Sequence, residues 1–412
     1  MNKTILISLD GLASYYIKDN FVCMPNLESI INHGSSSLNL ETVYPSVTWT
    51  IHASVLTGLY PKDHGIIGNW AYDKKNGEII SFFGENYKDK QEILSCKTIY
   101  DIAKKSGMST AAVCWPLTRG AENIDFCIPE FYEQSLFEKY STGIFWNELK
   151  RKGFPVEKYG IWSKDHNQGY MQDNLTVEIG RYLLEEKEID FMMLHFLLAD
   201  SFQHDYGTKT MEIKWALEYL DNLLGKIITV LNQKNLREKT NLVIFSDHGF
   251  SDISQYFLPN MLFKKMGWYQ KPKSKNNQVI AVSSGGCGMV YINNTVIAAD
   301  VYAVLKHSGF VEKIFLPDEF YSLGLPISED NPFMADIIFE AKKGIGIDVA
   351  ETNGEWLIPS KHKAMHGYLP AKKELKCIFA ACGPDFSDKK EYSNLHITQI
   401  YDLVLGKQSK QA

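Results

Sequence analysis

A few acids and imidazoles in this chain stand where apolar runs stop. Asp10 follows Thr4–Leu9, Asp200 with His204 follows Phe191–Ala199, and Asp247-His248 follows Asn241–Ser246. His366, in Met-His-Gly-Tyr, precedes the apolar run Lys376–Cys382. Taken singly, an Asp after a strand caps a helix or turns the chain more often than it binds anything. Taken together, carboxylates and imidazoles at several strand ends suit a metal site, and zinc in particular. The six side chains exceed what one tetrahedral ion accepts, so two ions are expected. Of the other histidines, His33, His52, His166, His307 and His396 read as surface or packing residues. His195, inside a buried run, reads as a core histidine with its hydrogen bonds made, and His64 and His362 are left open.

The elements that must position these residues follow from periodicity. Short β-rich apolar runs (Thr4–Leu9, Ser109–Cys114, Phe191–Ala199, Asn241–Ser246, Lys376–Cys382) alternate with amphipathic stretches. That is the pattern of a mostly parallel central sheet flanked by helices, an α/β fold, in which ligands gather at the carboxyl ends of the strands. Met211 to Leu231 predicts a crossover helix with Leu217, Leu220, Leu223, Leu224 and Ile227 on one face. Residues 252–362 carry short strand and helix signals at close spacing and read as an inserted small α+β cap subdomain, leaving 1–251 and 363–412 as a discontinuous core. The aromatic-rich stretch from Gly120 to Asp190 is expected over the site as a lid.

Composition narrows the classes. Hydrophobic residues are 45% and charged residues 22%, as in ordinary globular domains. A net charge of −6 with no basic block argues against duplex nucleic-acid binding. Seven scattered cysteines without a CxxC pair read as reduced thiols. No window of about 18 uncharged apolar residues suggests a membrane span, and the start is too short in apolar residues for a signal sequence. The expectation is a soluble, cytoplasmic protein.

One segment goes further. Pro45-Ser-Val-Thr48-Trp49, followed by Thr57-Gly-Leu-Tyr-Pro-Lys-Asp-His-Gly-Ile-Ile-Gly-Asn69, resembles the nucleotide pyrophosphatase/phosphodiesterase branch of the alkaline phosphatase superfamily. The resemblance continues in ordered blocks at Asp10-Gly11, Pro25-Asn26-Leu27, Cys114-Trp115-Pro116, Asp200 to His204, Ser246-Asp-His-Gly249 and His366-Gly-Tyr368. It implies an alkaline-phosphatase-like fold and a two-zinc hydrolase of phosphodiester or phosphoanhydride bonds, with manganese or iron as substitutes. It further implies Thr48 as the nucleophile that forms a phosphothreonine intermediate, its hydroxyl acidified by zinc. One zinc would be held by Asp200, His204 and His366, the other by Asp10, Thr48, Asp247 and His248, and Asn69 would hydrogen-bond a non-bridging phosphate oxygen. The implied partner is a small phosphorylated substrate of the nucleotide kind. Trp49, where the family has Phe, either stacks on a base or packs at the helix start. Leu198-Ala199 and Leu117-Thr118 also depart from the family pattern and bear on substrate preference.

The nearest rivals are a phosphonate hydrolase resembling phosphonoacetate hydrolase, and a phosphomonoesterase on the same metal core. A non-catalytic binding protein would have lost ligands, and none is lost. Charge arithmetic favours diesters: Asp10, Asp200, Asp247 and a Thr48 alkoxide balance two zinc ions, so a monoester dianion needs a further cation, for which Arg119 and the lysines of the inserted segment are the candidates.

Overall fold

The computed structural model describes residues 1–82, 88–94, 96–271, 274, 276–294 and 297–406. Its centre is an eight-stranded sheet, ordered Leu395–His396, Ser35–Glu41, Cys377–Cys382, Thr240–Phe245, Lys3–Leu9, Phe191–Phe196, Thr110–Trp115, Phe126–Pro129. Lys3–Leu9 pairs in parallel with both Phe191–Phe196 and Thr240–Phe245. Cys377–Cys382 runs antiparallel to both of its neighbours. The apolar runs are continuous because helices cover both faces, so neither side of a strand meets water. Alternate residues serve different cores: Ile5, Ile7 and Leu9 face one cluster, Leu6 the other.

Behind the sheet lie the helices Gly169–Glu186 and Met211–Gln233. The second is the expected crossover helix, with Leu217, Leu220, Leu223, Leu224 and Ile227 all buried. The front core contains the helix Thr48–Thr57 together with strands of the segment from Ser251 to Met365. That segment forms sheets of its own: Val279–Ser284, Cys287–Ile292, Ile337–Ala341 and Val311–Phe315 make one antiparallel sheet, and Ser251–Phe257 pairs with Gly344–Ile347 and Leu357–Pro359.

One expectation needs correction, and one strand carries no apolar signal in the sequence. The run Phe191–Ala199 is not all strand, since pairing ends at Phe196 and Leu198 opens the helix Leu198–Tyr206 that carries Asp200 and His204. The strand Ser35–Glu41 escaped notice because Ser-Ser-Ser-Leu-Asn-Leu-Glu lacks the apolar content of a buried run. Among the described residues, no helix is long and apolar enough to cross a membrane, and the seven cysteines are unpaired.

Candidate active site

The three central strands Thr240–Phe245, Lys3–Leu9 and Phe191–Phe196 are neighbours and parallel, so their carboxyl ends deliver Asp247-His248, Asp10 and Asp200 to one place. His248 Nε2 lies 3.3 Å from Asp10 Oδ1 and 3.6 Å from Asp247 Oδ2. Asp200 Oδ1 is 3.5 Å from His204 Nε2 and 3.8 Å from His366 Nε2. The rings of His248 and His366 stack at 3.8 Å and join the two halves. Asp10, Asp247 and His248 form one group able to hold a metal ion, and Asp200, His248 and His366 another.

Local hydrogen bonds aim these side chains. Asp247 Oδ1 accepts the backbone amides of Gly11 and His248, which leaves Oδ2 facing the cluster. Gly11 has φ +77°, and a Cβ there would sit 2.8 Å from Gln203 Nε2, so only glycine lets the loop after Lys3–Leu9 close on the helix Leu198–Tyr206. His204 Nδ1 donates to the Ala364 carbonyl and His366 Nδ1 to the Ser46 carbonyl, so each ring presents an unprotonated Nε2 inward. The buried Asp173 carboxylate accepts the amides of Leu197 and Leu198, fixing the turn from which Asp200 springs.

Thr48 is the first residue of the helix Thr48–Thr57 and is buried, its Oγ1 3.4 Å from His248 Nε2. The amide of Trp49 donates to Asn69 Oδ1 at 3.1 Å, which orients the Asn69 side chain so that its NH₂ group remains as a donor. His52, one turn after Thr48, donates from Nδ1 to the Thr48 carbonyl at 2.8 Å, while its Nε2 lies 3.1 Å from Ser8 Oγ on the central strand. The threonine turn is thereby tied to the sheet.

Burial sets the electrostatics. Desolvation, reinforced by Asp247 and Asp200, holds the Asp10 carboxyl well above its usual range, and burial pushes Asp200 up to about 6. Burial pulls His204 and His366 down to about 3 and His248 well below normal, so all three imidazoles are neutral near pH 7. Asp10 Oδ1, Asp200 Oδ1 and Asp247 Oδ2 are buried and make no hydrogen bond. Converging carboxylates without donors, ringed by neutral imidazoles, fit a divalent cation.

The site opens into a cavity of about 270 Å³ whose described lining includes Thr48, Trp49, Asn69, Phe131, Tyr132, Trp162 and His166, and no Lys or Arg. The segment after Gly120 thus forms one wall of the site. Arg119 stays outside the lining, with Nε 2.9 Å from Asp89 Oδ1 and its guanidinium over the Tyr140 ring. Trp49 is 3% exposed and belongs to the front core while one part of it lines the cavity.

Some residues here were misread or missed from sequence. His195 is not a satisfied core histidine: neither ring nitrogen has a hydrogen-bond partner, and Nε2 lies 3.3 Å from Asp10 Oδ2 and 3.8 Å from Glu130 Oε2. Glu130 is buried in the cavity wall, its carboxyl pushed up to about 8 by burial and by Asp247 and Asp200. His52 packs, as expected, but against the turn of Thr48, and its spacing of four from Thr48 on a helix was the available signal. His362 lines the same cavity. His64 holds a turn, with Nε2 3.0 Å from Ser54 Oγ and Nδ1 accepting the Ile66 amide.

Fold and site together define an α/β protein of alkaline-phosphatase-like architecture, with Asp/His groups able to hold metal beside a threonine at a helix start. Residues 4–369 match the family described as type I phosphodiesterase / nucleotide pyrophosphatase, and the chain belongs to that family. It is 25% identical to venom phosphodiesterase 2 of Crotalus adamanteus over 97% of its own length but only 44% of that protein. It is 26% identical to the human "bis(5'-adenosyl)-triphosphatase ENPP4" over 98% of this chain and 77% of that one. The chain therefore spans less than half the length of the venom enzymes it matches. Among solved structures, murine ectonucleotide pyrophosphatase/phosphodiesterase 5 shares the fold with a TM-score of 0.71 at 19% identity, covering 98% of this chain and 94% of the other. An inactive threonine-to-alanine form of that murine protein, in complex with AMP, is similar to the same degree.

Proposed function

We propose that this protein hydrolyses phosphodiester or phosphoanhydride bonds of small nucleotide-type substrates through a threonine nucleophile. Asp10, Asp200, His204, Asp247, His248 and His366, with Thr48, would hold two divalent cations, and their oxygen and nitrogen donors favour zinc. Cations bound there supply charge neutralisation at the phosphate and acidify a coordinated hydroxyl.

The chain's own groups do the rest. Thr48 Oγ1 bonds to phosphorus as the bond to the leaving oxygen breaks, and the leaving group takes up a proton. Water then attacks the phosphothreonine, the P–Oγ1 bond breaks, and the threonine hydroxyl is restored as the phosphomonoester departs. The Asn69 NH₂ group donates to a non-bridging oxygen, and amides of the first turn of Thr48–Thr57 add donors. Phe131, Tyr132, Trp162 and the accessible part of Trp49 offer flat apolar surface to a base.

The observation that carries this reading is Thr48 Oγ1 at 3.4 Å from His248 Nε2, beside three buried carboxylate oxygens without donors. The printed names of the relatives agree: one is a bis(5'-adenosyl)-triphosphatase, and a threonine-to-alanine form of another is inactive and holds AMP. With no Lys or Arg in the described lining to meet a second negative charge, diesters are preferred over monoesters. The test is kcat/KM for thymidine 5'-(4-nitrophenyl phosphate) against 4-nitrophenyl phosphate on zinc-loaded and chelator-treated protein. A diester advantage of at least about tenfold, lost with the metal, is expected. A monoester advantage, or turnover indifferent to chelation, contradicts the reading.

A further inference from the structure

A second cavity, of about 510 Å³, meets the first at Asn69, His362 and His366. It lies between the hairpin strands Trp70–Asp73 and Glu78–Ser81 and the turn joining Val279–Ser284 to Cys287–Ile292. That turn rests on the site itself: the Gly286 amide donates to the His366 carbonyl at 2.8 Å, and a Cβ on Gly285 would fall 2.3 Å from the same oxygen. Trp70, Ile79, Val282, Ile347 and Val349 make most of the wall apolar. Ser284 adds a hydroxyl that is buried, lines the cavity and has no hydrogen-bond partner. Among the described lining residues the only full charges are Lys361 and Asp348, which sum to zero, and Asp348 already accepts the amides of Val349 and Ala350.

Resting on the hydrolase reading above, we propose that this second cavity is the leaving-group subsite, and that it selects an organic leaving group with an apolar or aromatic body over inorganic pyrophosphate. Displacement in line sends the leaving oxygen away from Thr48. Thr48 lines the first cavity and not the second, whereas Asn69 and His366 line both, so the exit from phosphorus leads past them into the second cavity. A pyrophosphate leaving group carries several negative charges and finds there one lysine and one aspartate, a lining of no net charge. An aryl or alkyl body instead buries apolar area against Trp70, Val282 and Ile347, a gain that scales with the area removed from water. The Ser284 hydroxyl is left to donate to a polar atom of that group.

Two measurements test this, one of them free of turnover. Calorimetry compares thymidine 5'-benzylphosphonate with thymidine 5'-methylphosphonate, in which a P–C bond replaces the scissile P–O bond and the arm cannot leave. The benzyl compound is expected to bind wild-type protein at least about tenfold more tightly. Trp70→Ala, at a 39% exposed position where folding tolerates the change, is expected to erase that gain, and Val349→Ala to reduce it. In parallel, the ratio of kcat/KM for thymidine 5'-(4-nitrophenyl phosphate) to that for ATP is expected to fall about tenfold in Trp70→Ala. Equal affinity of the two phosphonates for wild-type protein overturns the subsite. So does a benzyl advantage that survives both substitutions. A benzyl advantage that depends on Trp70, in a protein that turns over no ester, leaves an aryl-binding cavity standing and removes the hydrolase reading, and with it the leaving-group role.

Discussion

The carboxyl edge of the central sheet and the walls of the two cavities above it are built in opposite ways. At the edge, Asp10, Asp200, Asp247 and His248 stand one to four residues past a paired strand of the central sheet, and adjacent hydrogen bonds hold Asp247, His204 and His366: the Gly11 and His248 amides on Asp247, the Ala364 carbonyl on His204, the Ser46 carbonyl on His366. The cavity walls are assembled from the segment after Gly120, from the hairpin at Trp70 and from the turn at Ser284, which are far apart in sequence and meet only in space. The edge is polar, with one oxygen each of Asp10, Asp200 and Asp247 buried and without a donor. The walls carry aromatic and apolar side chains, joined in the first cavity by Glu130, His166 and Gln172. On the proposed reading, the chemistry belongs to the sheet edge and the choice of substrate to the walls.

Substitutions at the edge break this contrast most severely. Thr48→Ala removes one hydroxyl at a helix start and is expected to lower kcat by at least about three powers of ten with the fold intact, checked by kinetics beside circular dichroism. Asp200→Asn removes the carboxylate on which His204 and His366 converge. Metal affinity, measured by competition with a chelating dye, is expected to fall more than about 100-fold, because substitutions one layer further out already cost 10–100-fold. Asp173→Ala tests the support beneath Asp200. It leaves the half-buried Leu197 amide and the buried Leu198 amide without their acceptor, so urea unfolding is expected to show a loss of about 2–3 kcal/mol. The smallest effect is that of pH. Asp200, raised to about 6 by burial, must release its proton to bind a cation, while His204 and His366, lowered to about 3, are already neutral. Affinity of the Asp200, His204 and His366 group for its cation is therefore expected to rise with pH up to about 6 and to flatten above it, by up to about tenfold per pH unit on the rising limb, whereas the group of Asp10, Asp247 and His248 follows the raised Asp10 carboxyl instead. A curve that keeps rising through pH 7 as a single histidine titrates would contradict that assignment.

The same contrast explains what the sequence made legible. Asp10, Asp200, Asp247 and His248 could be picked out because a strand end is a local event, written in a run of apolar residues and its interruption. The helix Met211–Gln233 was legible for the same reason, its face repeating every three to four residues. His195 was not. Its place beneath Asp10 depends on the register that sets it opposite Ser8 across two strands, and nothing in Met-Met-Leu-His-Phe announces that register. Glu130 looks like an ordinary turn acid until the segment after Gly120 folds over the site and buries it. The second cavity had no sequence signal at all, since Trp70, Ser284 and Val349 acquire a common role only once the turn at Gly285 rests on His366.

The central claim is that Thr48 becomes covalently bonded to phosphorus. Zinc-loaded protein mixed with thymidine 5'-(4-nitrophenyl phosphate), quenched in acid within a turnover and digested, tests it by mass spectrometry of the peptide spanning Thr48. A burst of nitrophenolate matched by a thymidylyl adduct on Thr48, absent from Thr48→Ala, is expected. Full turnover with the adduct on another residue, or an adduct on Thr48 that never decays on the timescale of turnover, would contradict it.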